Sequence, residues 1–278
     1  MALPPSPRPL PLASLLSEDG PLVMGILNVT PDSFSDGGRF LSPEAAIRHA
    51  EQIVADGAEI IDIGAESTRP YGGAKPVSAE EEVARLEPVL AAVAALGRPV
   101  SIDTMKADVA RWALKQGASL INDVWGLQRD ADMARIAAET GAPMIVMHNR
   151  NVADPAIDIV ADMLTFFARS LEIAARAGIA KEQILLDPGI GFGKTPAQSL
   201  EALAKLDRLQ GFGLPLLVGA SRKRFIDSVS PAPPEQRIGG SIAAALIAAE
   251  AGAAVIRVHD VKETKQALRV WRAIGEAR

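Results

Sequence analysis

Two basic clusters and a set of acid and amide side chains stand out as groups with chemistry to offer. Ser221-Arg222-Lys223 and Arg257-Val258-His259 each close a short apolar run. Together they bring three full positive charges, a hydroxyl and an imidazole, the groups that hold phosphate or diphosphate. Any one of these cations alone also suits a solvated surface. Asp103, Asn122 and Asp187 close three other runs. Acid and amide side chains aimed at one point suit a flat heterocycle with a donor-rich edge, as pterins and guanines have, because a carboxylate accepts two parallel N–H bonds. Asp103, directly before Thr104, also fits a plain helix N-cap.

Several tempting motifs fail on spacing. Gly189-Ile190-Gly191-Phe192-Gly193-Lys194-Thr195 is not a P-loop, because the first glycine of that motif falls on Pro188, and not a dinucleotide fingerprint, because its third glycine falls on Lys194. A nucleophile elbow at Ser221 needs glycine where the chain has Lys223. His49, His148 and His259 have no metal-ligand spacing. With no cysteine, a disulfide, a thiolate zinc site and an iron–sulfur cluster are excluded, and the cytosol is the default setting. The net charge of −5 argues against a nucleic-acid surface.

The elements that must position these residues repeat eight times. A short apolar run ends in a polar residue or glycine-rich turn, near Asn28, Asp62, Asp103, Asn122, His148, Asp187, Ser221 and His259, and an amphipathic helical stretch follows. That is the one-dimensional pattern of a single (β/α)8 TIM barrel, whose strand ends converge on one catalytic face. A chain of 278 residues with 48% hydrophobic but only 4% aromatic content fits one such unit, its interior filled by aliphatic side chains. The strands are expected at Leu22–Leu27, Glu59–Ile63, Val100–Ile102, Leu120–Ile121, Pro143–Met147, Gln183–Leu186, Pro215–Val218 and Ala254–Val258.

Helix starts are marked by Ser42 with Pro43 at the first helical position, by Ser78 with Glu81, and by Asp260 with Glu263, the last two in capping-box register. Val83, Leu86, Leu90, Val93 and Leu96 form one apolar stripe. The proline-rich segment 1–20 reads as a flexible or loosely attached lead, without the features of a signal peptide, and 21–278 as the barrel domain. The longest apolar stretch, Ile242 to Ile256, is interrupted by Glu250 and too short for a bilayer, so no membrane is expected. The connections 29–41 and 64–77, carrying Gly37-Gly38 and Gly72-Gly73, are long for βα loops; they read as mobile lids or as two surface loops.

The segments Leu27-Asn28-Val29-Thr30-Pro31-Asp32-Ser33-Phe34, Glu66-Ser67-Thr68-Arg69-Pro70, Ser101-Ile102-Asp103-Thr104, Ile121-Asn122-Asp123, Asp187-Pro188-Gly189-Ile190-Gly191-Phe192-Gly193-Lys194, Ser221-Arg222-Lys223 and Arg257-Val258-His259 resemble, in order and spacing from about residue 22 onward, the pterin-binding TIM-barrel family of dihydropteroate synthases. The resemblance implies a transferase of folate biosynthesis. It joins (7,8-dihydropterin-6-yl)methyl diphosphate to p-aminobenzoate, with Mg2+ as cofactor, in a cytoplasmic homodimer that is a sulfonamide target. It implies Asp103, Lys223, Arg257 and His259 at the chemistry and Asp103, Asn122, Met147, Asp187 and Lys223 around the pterin. Phe34, Thr68, Arg69, Pro70, Phe192 and Ser221 fall to the p-aminobenzoate pocket and loops, Asn28, Arg257 and His259 to the diphosphate, and Asn28 also to the metal.

In such a reaction the electron-rich dihydropterin stabilises positive charge at its methylene carbon, so diphosphate departs before the amine attacks. The cations neutralise the leaving group and anionic Asp103 steadies the pterin cation. Two departures from the family pattern are present: loop 64–77 is about two residues longer than usual, and His148-Asn149-Arg150 replaces a stretch that often carries a second methionine. Two other readings remain: a pterin-binding methyltransferase-type barrel, which needs no diphosphate site, and a non-catalytic pterin-binding protein, which binds without turnover.

Overall fold

In the computed structural model, residues 11–16, 20–30, 42–66 and 77–277 are described. Eight parallel strands, β1 (Leu22–Asn28), β2 (Ile60–Gly64), β3 (Val100–Asp103), β4 (Leu120–Asp123), β5 (Met144–Met147), β6 (Ile184–Asp187), β7 (Leu217–Val218) and β8 (Val255–Val258), run in the order β6-β5-β4-β3-β2-β1-β8-β7. A parallel bridge from Leu186 to Leu216 joins the two edges, so the sheet closes into the TIM barrel that the repeating pattern predicts. Strand limits differ from the expected ones by a residue or two, the usual uncertainty at element ends.

Alternation along each strand splits the core in two. Outward residues such as Val23, Leu27, Ile61, Ile63, Ile102, Ile121, Val146, Leu186 and Ile256 pack under the surrounding helices. Inward ones, Leu22, Met24, Ile60, Leu120, Ile145, Leu185, Leu217 and Val255, fill the floor of the barrel. The short helix α1 (Leu12–Leu15) belongs to that floor: Leu12 is 2% exposed, packs in the same cluster, and its N–H donates to Gln183 Oε1 at 3.0 Å. Leu12 thus docks its apolar side chain against the barrel floor, while residues 1–10 and 17–19 of the expected flexible lead lie outside the described residues.

The helices that matter for the site follow the strands: α2 (Pro43–Ala55), α3 (Ala79–Ala94), α4 (Ala107–Lys115), α5 (Ala131–Thr140), α6 (Ile159–Ala177), α7 (Pro196–Ala204), α8 (Arg224–Val229), α9 (Ile238–Glu250) and α10 (Val261–Glu276). Ser42 caps α2 as expected. Ser78 Oγ accepts from Glu81 N at 3.2 Å, but the Glu81 carboxylate turns to Arg85. Asp260 makes no side-chain cap at all, because its carboxylate is bonded to the Arg222 guanidinium. The complete capping box lies elsewhere, between Thr195 and Gln198 at the start of α7. On α3 the buried face is Glu82, Leu86, Val89, Leu90 and Val93, with Glu82 admitted to it by an ion pair to Lys106 at 2.6 Å.

Candidate active site

One inward position beyond the floor residues Ile60, Leu120, Leu185 and Val255, the even-numbered strands carry Asp62, Asn122, Asp187 and Arg257. Such a layer of four from alternate strands is the usual filling of this barrel, but here it is polar. Arg257 Nε donates to Asp62 Oδ2 at 2.6 Å and Nη2 to Asp103 Oδ2 at 2.8 Å, while Asn122 Nδ2 donates to Asp62 at 3.2 Å. Side chains from β2, β3, β4 and β8 thus meet across the barrel.

The rest of the expected constellation stands around this cluster. Asp187, at the end of β6, accepts the Gly189 N–H at 2.7 Å. Met147 pairs in register with Asp187 and is buried. Lys223, the residue that opens α8, sends Nζ to the Ile190 carbonyl at 2.5 Å and lies 4.6 Å from the centre of the Phe192 ring. Ser221 Oγ accepts the His259 N–H at 3.2 Å and lies 3.1 Å from its Nδ1. Asn28 ends β1, half-buried, opposite Gly64. Phe34, Thr68, Arg69 and Pro70, with most of both long loops, lie outside the described residues.

Burial sets the electrostatics. It pushes the Asp103 carboxyl up to about 7, against the pull of Arg257 and with the push of Asp62. Asp187 is raised by the same cause, opposed by Lys223, and the Lys223 ammonium is pushed down to about 8. Burial also works against the Arg257 charge, but Asp62 and Asp103 outweigh it and hold the guanidinium above its ordinary value. Desolvated charges of both signs within one mouth make a site that rewards a ligand carrying donors at one end and negative charge at the other.

Two sequence readings change. Arg222 is not one of the anion-facing cations: it sits at φ +59°, which turns its guanidinium away onto Asp260 at 2.5 and 3.0 Å and leaves Lys223 to face the barrel. Asp62, read only as the end of a run, is a member of the mouth. The signal was present, since a carboxylate set among Ile60, Ile61 and Ile63 has to find a cation or donors when the strand is buried.

A further polar group lies behind Asp187. Lys194, 1% exposed, places Nζ 2.6 Å from His148 Nδ1, 2.9 Å from the Gly189 carbonyl and 3.2 Å from that of Phe192. His148 Nε2 is 2.9 Å from Asp162 Oδ2, and Arg150 Nη1 reaches Asp162 Oδ1 at 2.7 Å. Burial pushes the His148 imidazole down to about 3 and the Lys194 ammonium down to about 7. In the sequence Lys194 stands in the failed phosphate-loop and dinucleotide motifs and in the 187–194 segment of the family resemblance, with no role of its own assigned.

Residues 24–259 match the family described as "Pterin binding enzyme". Dihydropteroate synthase of Bacillus subtilis (strain 168) is 46% identical over 263 residues, covering 94% of this chain and 91% of that one. The structure of Xanthomonas albilineans dihydropteroate synthase with 4-aminobenzoic acid superposes with a TM-score of 0.89 at 44% identity, covering 96% of this chain and 98% of that one. The same enzyme in complex with 7,8-dihydropteroate superposes with a TM-score of 0.86 at 42% identity, covering 97% and 99%. With a polar mouth on a barrel that matches these enzymes over nearly its whole length, this chain belongs to the pterin-binding enzymes and, within them, to the dihydropteroate synthases, a family of transferases.

Proposed function

We propose that the enzyme condenses (7,8-dihydropterin-6-yl)methyl diphosphate with p-aminobenzoate to give 7,8-dihydropteroate and diphosphate. The observation that carries this reading is a pair of buried acceptors, Asp103 Oδ1 and Asn122 Oδ1, which have no hydrogen-bond partner among the described residues. Leaving such atoms without a donor costs about 1–3 kcal/mol each, and the N–H edge of a pterin supplies donors to both. Asp187 takes the 2-amino and ring N–H pair, Lys223 donates to the ring carbonyl, and Met147 forms a wall. Phe192 and Ser221, with Phe34, Thr68, Arg69 and Pro70, make the p-aminobenzoate end.

The bond that breaks joins the pterin methylene carbon to the diphosphate oxygen, and its electron pair leaves with diphosphate. Ionised Asp103 stabilises the pterin cation that remains, while Arg257, His259 and Lys223 neutralise the departing tail. The aniline nitrogen then forms the new C–N bond through its own lone pair and releases a proton to water, so no strong base is required. For Mg2+ the neutral side-chain oxygen of Asn28 is a suitable ligand; among the described residues no cluster of three His, Cys, Asp or Glu side chains is placed to hold a metal. Asn28 would hold the ion, which when bound would supply charge neutralisation to the leaving group.

Formation of 7,8-dihydropteroate with diphosphate should require both substrates together and fall by orders of magnitude in Asp103→Ala and Lys223→Ala. No dihydropteroate from the two substrates together, or wild-type turnover in either variant, rejects the reading. Competition by a sulfonamide against p-aminobenzoate tests the second substrate end, and chelation with EDTA followed by Mg2+ addition tests the ion.

The enzyme is further proposed to pair as a homodimer through α9 and α10. Ile247, Val270 and Ile274 are about half exposed there, beside a groove of about 370 Å³ lined by Ile242, Leu246 and Trp271. Sedimentation should give a dimer for the native chain and a monomer for V270E/I274E; a monomeric native chain rejects it.

A further inference from the structure

The turn from Gly189 to Gly193 touches both ends of the proposed pterin grip. Its first N–H donates to Asp187 at 2.7 Å, its Ile190 carbonyl accepts from Lys223 at 2.5 Å, and its Phe192 ring lies against the same ammonium. Three of its five residues are glycine, so backbone preference alone selects no single conformation; the Phe192 N–H closes the turn on the Gly189 carbonyl at 3.0 Å, and Ile190 is anchored in the core. Two of the glycines are required by contact. A Cβ on Gly189, at φ +62°, would stand 1.9 Å from the His148 carbonyl oxygen, and one on Gly193, at φ +54°, 2.4 Å from Arg150. The turn is therefore permissive in its glycine backbone yet pressed flat on the residues that follow β5.

Lys194 adds a polar restraint across the turn. Its ammonium donates into the turn at both ends, to the Gly189 and Phe192 carbonyls, and to His148. His148 is fixed in turn: Nε2 faces the Asp162 carboxylate and carries the hydrogen, which leaves Nδ1 as the acceptor for Lys194. Edge-on contact with Phe166, 4.9 Å between ring centres, holds the imidazole plane.

We propose that Lys194, oriented by His148, is a positioning residue that locks the 189–193 turn and so sets the geometry of Asp187 and Lys223 toward the substrate. It touches no substrate atom itself. This rests on the assignment of Asp187 and Lys223 to the pterin, and the test separates the two claims.

The test compares the full-length native enzyme with Lys194→Met, His148→Leu and His148→Asn, at a temperature where each is folded by circular dichroism. Affinity for 6-hydroxymethyl-7,8-dihydropterin is read by calorimetry and kcat/KM for the pterin diphosphate by diphosphate release. Lys194→Met and His148→Leu should weaken pterin binding at least about tenfold and lower kcat/KM as much or more. His148→Asn keeps an acceptor near the place of Nδ1 and should stay within about threefold of native.

A folded Lys194→Met with native affinity and kinetics, changed only in melting temperature, overturns the proposal, as does an Asn variant that falls as far as the Leu variant. Should Lys194→Met not fold, Asp162→Asn decides. Its half-exposed carboxylate fixes the His148 tautomer, so its loss should weaken pterin binding about threefold or more, and unchanged binding overturns the proposal. Asp187→Asn and Lys223→Ala serve as controls. If those two leave pterin affinity untouched, the pterin assignment has failed and not the role of Lys194.

Discussion

The floor and the mouth of this barrel are built by the same strands, two residues apart, and obey opposite rules. On β2, β4, β6 and β8, Ile60, Leu120, Leu185 and Val255 close the floor, and the next inward positions are Asp62, Asn122, Asp187 and Arg257. Apolar packing is non-directional, so any aliphatic set of suitable volume would close the floor. At the mouth each group needs a particular partner at a particular distance, as Arg257 has in Asp62 and Asp103. Buried ion pairs return little net stability once desolvation is counted. The floor therefore carries stability, and the mouth is kept polar at little or no gain because a ligand needs it.

The largest effect expected from that contrast is at its one shared cation. Arg257→Met should cut turnover at least about 100-fold and cost about 3–5 kcal/mol at pH 7, since two buried carboxylates lose their counter-charge. The penalty should shrink as pH falls, because protonation of Asp103, whose carboxyl burial already pushes up to about 7, removes part of the uncompensated charge. Urea unfolding at pH 7 and 5 measures both, and a variant as stable as native at pH 7 breaks the contrast. Leu185→Ala, on the floor, should cost about 2–5 kcal/mol yet leave kcat and KM of the folded enzyme within about twofold, since the apolar layer meets no substrate.

Asp103 sharpens the comparison through pH. Its folded carboxyl is raised to about 7, above the ordinary value of 3.8, so between those values the folded chain holds a proton that the unfolded chain has released. By linkage this group's contribution to stability falls as pH rises from about 4 to 7 and is fully unfavourable above. Activity should run the other way, rising through about pH 7 as the anion forms beside the pterin. In Asp103→Asn the slope of unfolding free energy against pH over that window should flatten, and the acid limb of the pH–rate profile should vanish. A native-like acid limb in that variant assigns it to another group.

The barrel itself was legible because its eight runs alternate with helices and end in polar residues, a pattern that strand geometry writes directly into sequence. Asp103, Asn122 and Asp187 were legible for the same reason, standing at the run ends. Asp62 stands at a run end too, but its role could not be read there, because it depends on Arg257, 195 positions away. Arg222 misled because its sign suits an anion, whereas its left-handed backbone, which no local pattern announces, sends it to Asp260. Lys194 and His148 are joined only by the packing of two separate loops. Residues that act alone at a strand end can be read; residues that act through a partner brought by the fold cannot.

Leu12 gives the smallest expected effect and the cleanest separation of the two ends. Its side chain is buried in the floor, but the helix that carries it has four residues and only a few ties to the barrel, one of them the bond from Leu12 N–H to Gln183. Such a segment can detach without the barrel opening, so Leu12→Ala can cost no more than the helix gains by docking, about 1–2 kcal/mol. Turnover should not change, because the floor layer, the polar layer and the loops beyond it follow in series, and the aliphatic side chains of the floor make no hydrogen bond to the mouth. Hydrogen exchange at the Leu12 amide and at those of β6 reads this directly: the first should speed up and the second stay protected. A loss of turnover without a loss of stability in Leu12→Ala would mean that the two ends are mechanically coupled through the barrel, and the division of labour between them would not hold.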